Sequence, residues 1–204
     1  PVATATPSSI LVKDLAAEGL NPLTGLPVDD QTLLQQRPVL VKIANWPQGL
    51  RPAAGLNQAD LVFEYYIGAQ ANHFLAVYYG QDSEQVGPLA PARMVDARLS
   101  EHYQGILAYA SADNTVEKVL SEVLPGRSFV RGFTPCPAMC NLTDAGGENT
   151  YVNTGAMREL YQAENPDGDN VNLSGLDFAS HLSEWDADAL QLSYLYADFS
   201  VMQW

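Results

Sequence analysis

Hydrophobic and polar positions change period several times along the chain, and each change marks an element. Arg37-Pro-Val-Leu-Val-Lys-Ile-Ala-Asn45 is a short apolar run closed by Trp46-Pro47 and Gly49, which predicts a buried strand and then a loop. Asp60-Leu-Val-Phe-Glu-Tyr-Tyr-Ile67 and His73-Phe-Leu-Ala-Val-Tyr-Tyr79 are rich in aromatic and branched residues and are bounded by polar or Gly segments. They predict two adjacent central strands. From Ala92 to Tyr103 the period lengthens: Val95, Leu99 and His102 with Tyr103 recur at three- and four-residue intervals, predicting a helix with one apolar face. A short buried strand is expected over Gly105-Ile-Leu-Ala-Tyr-Ala-Ser111.

Asn114-Thr-Val-Glu117 then reads as a helix start, with Asn114 as the cap and Glu117 at the third helical position. Val116, Val119, Leu120, Val123 and Leu124 form its stripe, and Pro125-Gly126 stops it. Arg127 to Asn149 reads as loop. A last helix is predicted over Thr154 to Glu164, burying Met157, Leu160 and Tyr161 and ending at the turn-forming Asn165-Pro-Asp-Gly-Asp-Asn170. Leu190 to Trp204 alternates like a single strand. Strands alternating with helices predict an α/β (or α+β) single domain, with helices packed on a mixed sheet. The second and third strands are too close for the long crossover that parallel pairing requires. No repeat of the solenoid kind is present.

The ends of the chain have a different character. Residues 1–20 open on Pro-Val-Ala-Thr-Ala-Thr-Pro-Ser-Ser, a composition that buries little and reads as a flexible tether. Asn21-Pro-Leu-Thr-Gly-Leu-Pro27 follows as an ordered leading loop, so the domain is expected over 21–204 and is expected to continue beyond 204. Asp plus Glu number 24 against 10 Lys plus Arg, for a net charge of -14. That balance excludes general nucleic-acid binding, which needs cations to neutralise phosphates. Nor does any run approach the roughly 20 apolar residues of a spanning helix.

Cys136 and Cys140 are the only cysteines. Outside the cytoplasm two nearby cysteines lean towards a small-loop disulfide, whereas in a reducing compartment they lean towards metal or redox chemistry. The disulfide is the preferred expectation, because two thiols alone make a poor zinc site.

At Asn21-Pro-Leu-Thr-Gly-Leu26, Arg37 to Asn45, Arg51-Pro-Ala-Ala-Gly-Leu-Asn-Gln-Ala-Asp60-Leu-Val-Phe-Glu64 and Gly87-Pro-Leu-Ala-Pro-Ala-Arg93, the chain resembles the YerB-like bacterial lipoprotein family. The resemblance runs in order over about residues 21 to 204 and is strongest before about residue 125. It implies a lipid-anchored, extracytoplasmic protein with a further C-terminal part, and supplies no reaction. Arg51, Asp60, Glu64, Arg93 and Asn149 match family positions. Ala90-Pro91 stands where the family usually has Arg-Ser, and Glu148-Asn-Thr-Tyr-Val-Asn153 where it usually has a His-Asn-Leu-Tyr-Thr run.

Candidate chemistry is sparse. Arg51, Glu64, His73 and Arg93 lie near predicted strand ends, where open sheets place ligand sites, and Asn149 joins them as a matched position. Together they suit an anionic or sugar-like ligand, since guanidinium pairs with phosphate or carboxylate and Glu or His moves protons. The plainer account, favoured by the lack of a nucleophile, is an ion pair of Arg93 with Glu64 or Asp60 that fixes the sheet. Asp167-Gly-Asp169-Asn170-Val-Asn172 has oxygen ligands at alternate positions but lacks the Gly and Glu of an EF-hand, so an acidic turn is expected and no metal. Walker, dinucleotide and nucleophile-elbow signatures are absent, His102 reads as a helix-face residue, and no cofactor is expected.

The expected function is therefore a non-catalytic binding or assembly component of a bacterial envelope, on the cell surface or the outer face of the cytoplasmic membrane. Its partner would be another envelope protein or a cell-wall polymer, and membrane contact would come through an anchor ahead of Pro1. The rival expectation is an enzyme or binding protein for an envelope glycan or phosphate-containing ligand.

Overall fold

The computed structural model describes residues 15–69, 71–142, 149–166, 171, 173, 194–197 and 200–203. Of the expected tether, residues 15–20 are among these and form a turn in which Leu20 pairs with Pro27, whereas 1–14, Glu148, His181 and all of the acidic turn from Asp167 to Asn172 except Val171 lie outside the described residues.

Five strands form one mixed sheet: β1 (Val39–Ile43), β2 (Leu61–Gly68), β3 (Ala71–Tyr78), β4 (Ile106–Tyr109) and β5 (Ser128–Val130). Their spatial order is β2-β3-β1-β4-β5. β2 and β3 make an antiparallel hairpin, β1 joins β3 antiparallel and β4 parallel, and β4 joins β5 parallel. The helices are α1 (Met94–His102), α2 (Asn114–Val123) and α3 (Thr154–Glu164). Small antiparallel pairs are made by β6 (Met139–Asn141) with β7 (Thr150–Val152), and by β8 (Tyr194–Ala197) with β9 (Ser200–Gln203). The domain is α+β.

Side-chain alternation divides the core in two, because successive residues of a strand face opposite sides. Leu40, Leu75, Val77, Leu107 and Tyr109 pack with Ala97 of α1 and with Val116 and Leu120 of α2. Val39, Val41, Ile43, Ala76, Tyr78, Ile106, Ala108 and Phe129 pack on the other side with Met139, Val152, and Met157 and Tyr161 of α3. β1 is buried at all its positions because both faces are covered, and that is why it reads as a continuous apolar run.

Several expectations change. β2 is not central: it forms the sheet edge, and its burial alternates between half-buried and exposed. α1 buries Asp96, Ala97 and Ser100, while Val95, at the head of the expected stripe, is exposed. The cap of α2 is Asp113, one residue earlier than expected; its side chain accepts from the backbone N–H groups of Thr115 and Val116. The stretch read as loop from Arg127 to Asn149 contains β5 and β6, strands of three residues each and too short to show a period. The chain end is two strands rather than one. α3 matches its expected bounds, and the leading loop is ordered, with Asn21 buried and its amide donating to Asp60 Oδ1 at 2.7 Å.

Candidate functional site

The carboxyl ends of the two parallel strands β1 and β4 meet a connecting segment, residues 90–92. Ala90 donates its N–H to the Lys42 carbonyl at 2.9 Å, Ala110 donates to Ala90 at 2.9 Å, and Ala92 donates to Ser111 at 2.7 Å. α1 starts just after this segment and α2 just after β4, so both helix N-termini lie at that end of the sheet. With the last residues of β2 they border an open groove of about 850 Å³, lined by Tyr65 to Gly68, Arg93 to Val95 and Asp113 to Val116.

A buried polar cluster lies behind this groove. Lys42 is the one charged residue of β1, and its side chain is wholly buried, as is that of Asp96. The Lys42 amine donates to the Tyr65 hydroxyl, which donates to Asp96 Oδ1. Lys42 Nζ lies 3.7 Å from Asp96 Oδ2 and 3.9 Å from the centre of the Tyr65 ring. Asp96 Oδ2 also accepts the Arg93 N–H at 2.6 Å, which ties the cluster to the first turn of α1.

His73 pairs with Tyr65 in the hairpin register and hydrogen-bonds the Trp46 backbone, while its Nδ1 has no partner among the described residues. Burial, followed by repulsion from Lys42, lowers the imidazole to about 4, so it is neutral at pH 7. Burial pulls Lys42 down to about 8, with the Asp96 charge opposing and the Arg93 charge assisting. Burial raises Asp96 against the pull of Lys42, and burial with the neighbouring Asp96 holds the Tyr65 phenol far above its usual range.

The exposed part of the groove differs. Tyr66, Met94 and Val95 keep 47%, 40% and 39% of their surface exposed, and Arg93 is exposed and makes no ion pair among the described residues. Asp113 spends its carboxylate on the α2 cap. The groove therefore presents apolar surface, the exposed polar residues Asn114 and Thr115, and one guanidinium, while the amine and carboxylate behind it bond to each other.

Of the expected site residues the structure brings only His73 and Arg93 within electrostatic reach of each other. Arg93 borders the groove. His73 is buried on the Tyr65 side of the sheet, and Glu64, one position earlier in register, lies exposed on the opposite face, where the Asn72 amide donates to it. Arg51 sits in an exposed loop, donating from Nε to the Asn45 carbonyl at 2.9 Å. Asn149 precedes β7, and its carbonyl accepts the Leu142 N–H at 3.1 Å.

The plainer ion pair is also replaced. Asp60 accepts from the Tyr79, Gly80 and Asn21 nitrogens, and Arg93 reaches neither it nor Glu64. Cys136 and Cys140 form a disulfide with Cα atoms 4.9 Å apart. His102 lies on α1, edge-on to Tyr103 at 5.0 Å. Among the described residues no group of three or more His, Cys, Asp or Glu side chains is placed to hold a metal, and no helix is long and apolar enough to cross a membrane.

Sequence reading missed Lys42, Tyr65 and Asp96. The available signal was Lys42 itself, a lone charge in a strand buried on both faces, which must find a counter-charge.

Residues 23–166 match the family described as "Protein of unknown function (DUF3048) N-terminal domain". Over 122 residues the chain is 38% identical to "Putative lipoprotein YerB" of Bacillus subtilis (strain 168), covering 58% of this chain and 36% of that protein. The crystal structure of YerB protein from Bacillus subtilis superposes with a TM-score of 0.63 at 26% identity, over 76% of this chain and 52% of that one. The chain thus spans about a third of the curated relative and about half of the solved one.

Proposed function

This chain belongs to the DUF3048 N-terminal domain family, and from that membership we propose that it serves as an extracytoplasmic, lipid-anchored envelope domain that binds a partner without catalysing a reaction. The word lipoprotein in the name of its Bacillus subtilis relative supports the anchoring, and the Cys136–Cys140 disulfide supports an oxidising compartment. One observation carries the binding reading. The groups able to move protons, Lys42 and Asp96, are wholly buried in mutual contact, while the groove they support exposes Tyr66, Met94 and Val95 beside Arg93. Tyr, Met and Arg are the side chains enriched where proteins meet.

The test is site-specific photocrosslinking of the full-length protein in its native envelope, with the probe at Val95 and, as control, at Leu142, which is also exposed. The expected result is a discrete adduct from Val95 and none from Leu142. Equal labelling at both positions, or none at either, overturns the reading.

A second reading rests on Arg93, whose guanidinium borders the groove without an ion pair among the described residues. It suits the phosphate or carboxylate of an envelope polymer. Calorimetry with a soluble anionic glycan fragment, compared with Arg93→Gln, tests it: heat that the substitution abolishes supports a glycan ligand, and no heat removes it.

A further inference from the structure

The two edges of the five-stranded sheet are unequal. β5 has three residues, too few to template another strand, whereas β2 has eight. Residues 61–66 hold an uninterrupted antiparallel register with β3, and the only irregularity lies between Tyr66 and Gly68. Natural edge strands are guarded by brevity, by Pro, by charged side chains, Lys above all, or by a bulge. β2, Leu-Val-Phe-Glu-Tyr-Tyr-Ile-Gly, has neither Pro nor Lys, its single charge is Glu64, and its irregularity comes only at the far end, so one carboxylate is its guard and a basic partner would neutralise it. Among the described residues, no backbone hydrogen bond leaves residues 61–65 on the side away from β3. Val62 and Tyr66 keep 44% and 47% of their surface exposed, with exposed Glu64 between them on the same face.

From this edge we infer that β2 accepts an added strand: an extended segment of a partner protein whose side chains alternate, apolar against Val62 and Tyr66 and basic against Glu64. This rests on the binding reading above and specifies the partner's chemistry. A row of backbone N–H and C=O groups is matched by another peptide backbone and not by a glycan. A second copy fits poorly, because antiparallel self-pairing about Glu64 sets two carboxylates opposite each other and each copy has a net charge of -14. A basic segment gains from both the local Glu64 and the overall charge. The groove already takes in Tyr65 and Tyr66, so a longer segment runs on past the irregularity towards Met94 and Val95.

The experiment adds to the full chain an eight-residue peptide alternating Thr with Val and Lys, and separately the same peptide with Glu for Lys or with a central Pro. Affinity is read by calorimetry and location by amide hydrogen exchange. The Lys peptide is expected to bind at least tenfold more tightly than the other two and to slow exchange within residues 61–66. Glu64→Lys, an exposed change that leaves the core intact, is expected to reverse the preference between the Lys and Glu peptides. Three results overturn the inference: no binding of the Lys peptide, protection at α1 and α2 but not β2, or concentration-dependent protection of β2 without peptide. The photocrosslink at Val95 is independent of all three, so a failed strand addition leaves the binding reading standing on its own test.

Discussion

At the scale of single residues, the buried polar cluster makes the sharpest expectations. His73 faces Lys42 and, at longer range, Arg93, and pairs with Tyr65 across the strands, and its folded value is about 4. A base whose pKa falls on folding takes up its proton first in the unfolded chain, so stability is complete above the ordinary value near 6.5 and is lost as pH falls towards 4. The full span corresponds to about 3 kcal/mol. Urea titrations at pH 7 and 4.5 should show that His73→Gln removes most of this acid sensitivity; an unchanged slope would assign it elsewhere. Lys42→Met strands the Asp96 carboxylate in the core and is expected to cost about 3 kcal/mol at pH 7. Adding Asp96→Asn, which drops the charge but keeps an acceptor for the Arg93 N–H, should recover much of that loss. Additive losses in this double-mutant cycle would mean that the pair is not coupled. The sequence made Lys42 conspicuous, but its counter-charge lies on a helix whose apparent apolar stripe turned attention to another face.

At the scale of elements, local signals explain what was legible. α3 could be read to its ends because Asn153 caps it, Asn165-Pro166 stops it, and Met157 and Tyr161 face one core. α2 was legible for the same reason, with its cap displaced to Asp113. Asp113→Ala should lower stability by about 1 kcal/mol, measured by chemical denaturation. α1 misled because Asp96 and Ser100, both polar, occupy its buried face, and no periodicity of apolar residues reports a buried carboxylate. The Cys136–Cys140 disulfide closes so small a loop that replacing both cysteines by Ala should cost about 2 kcal/mol. A larger loss in thermal melts would mean that it also fixes the neighbouring strand β6.

At the scale of the whole molecule, α3 is tied to the sheet by Arg158, which is 2% exposed. Its Nη2 donates to the Tyr78 carbonyl at 2.7 Å, its Nε donates to the Arg37 carbonyl at 3.2 Å, and its Nη1 lies 3.0 Å from Asp82. Arg158→Met leaves two carbonyls without this donor and should cost about 3 kcal/mol, seen as a lower urea midpoint with an unchanged slope. By itself the sequence determined the positions of the main strands and helices and the presence of one core-forming domain. Hydrophobic period, caps, stops and net charge are local or additive properties, and a linear chain displays them directly. Only the tertiary structure decided that β2 is an edge, that Glu64 and His73 lie on opposite faces, and that Lys42 meets Tyr65 and Asp96. Those outcomes depend on strand order and register, and a shift of one residue in register exchanges the faces of a strand without altering any local pattern.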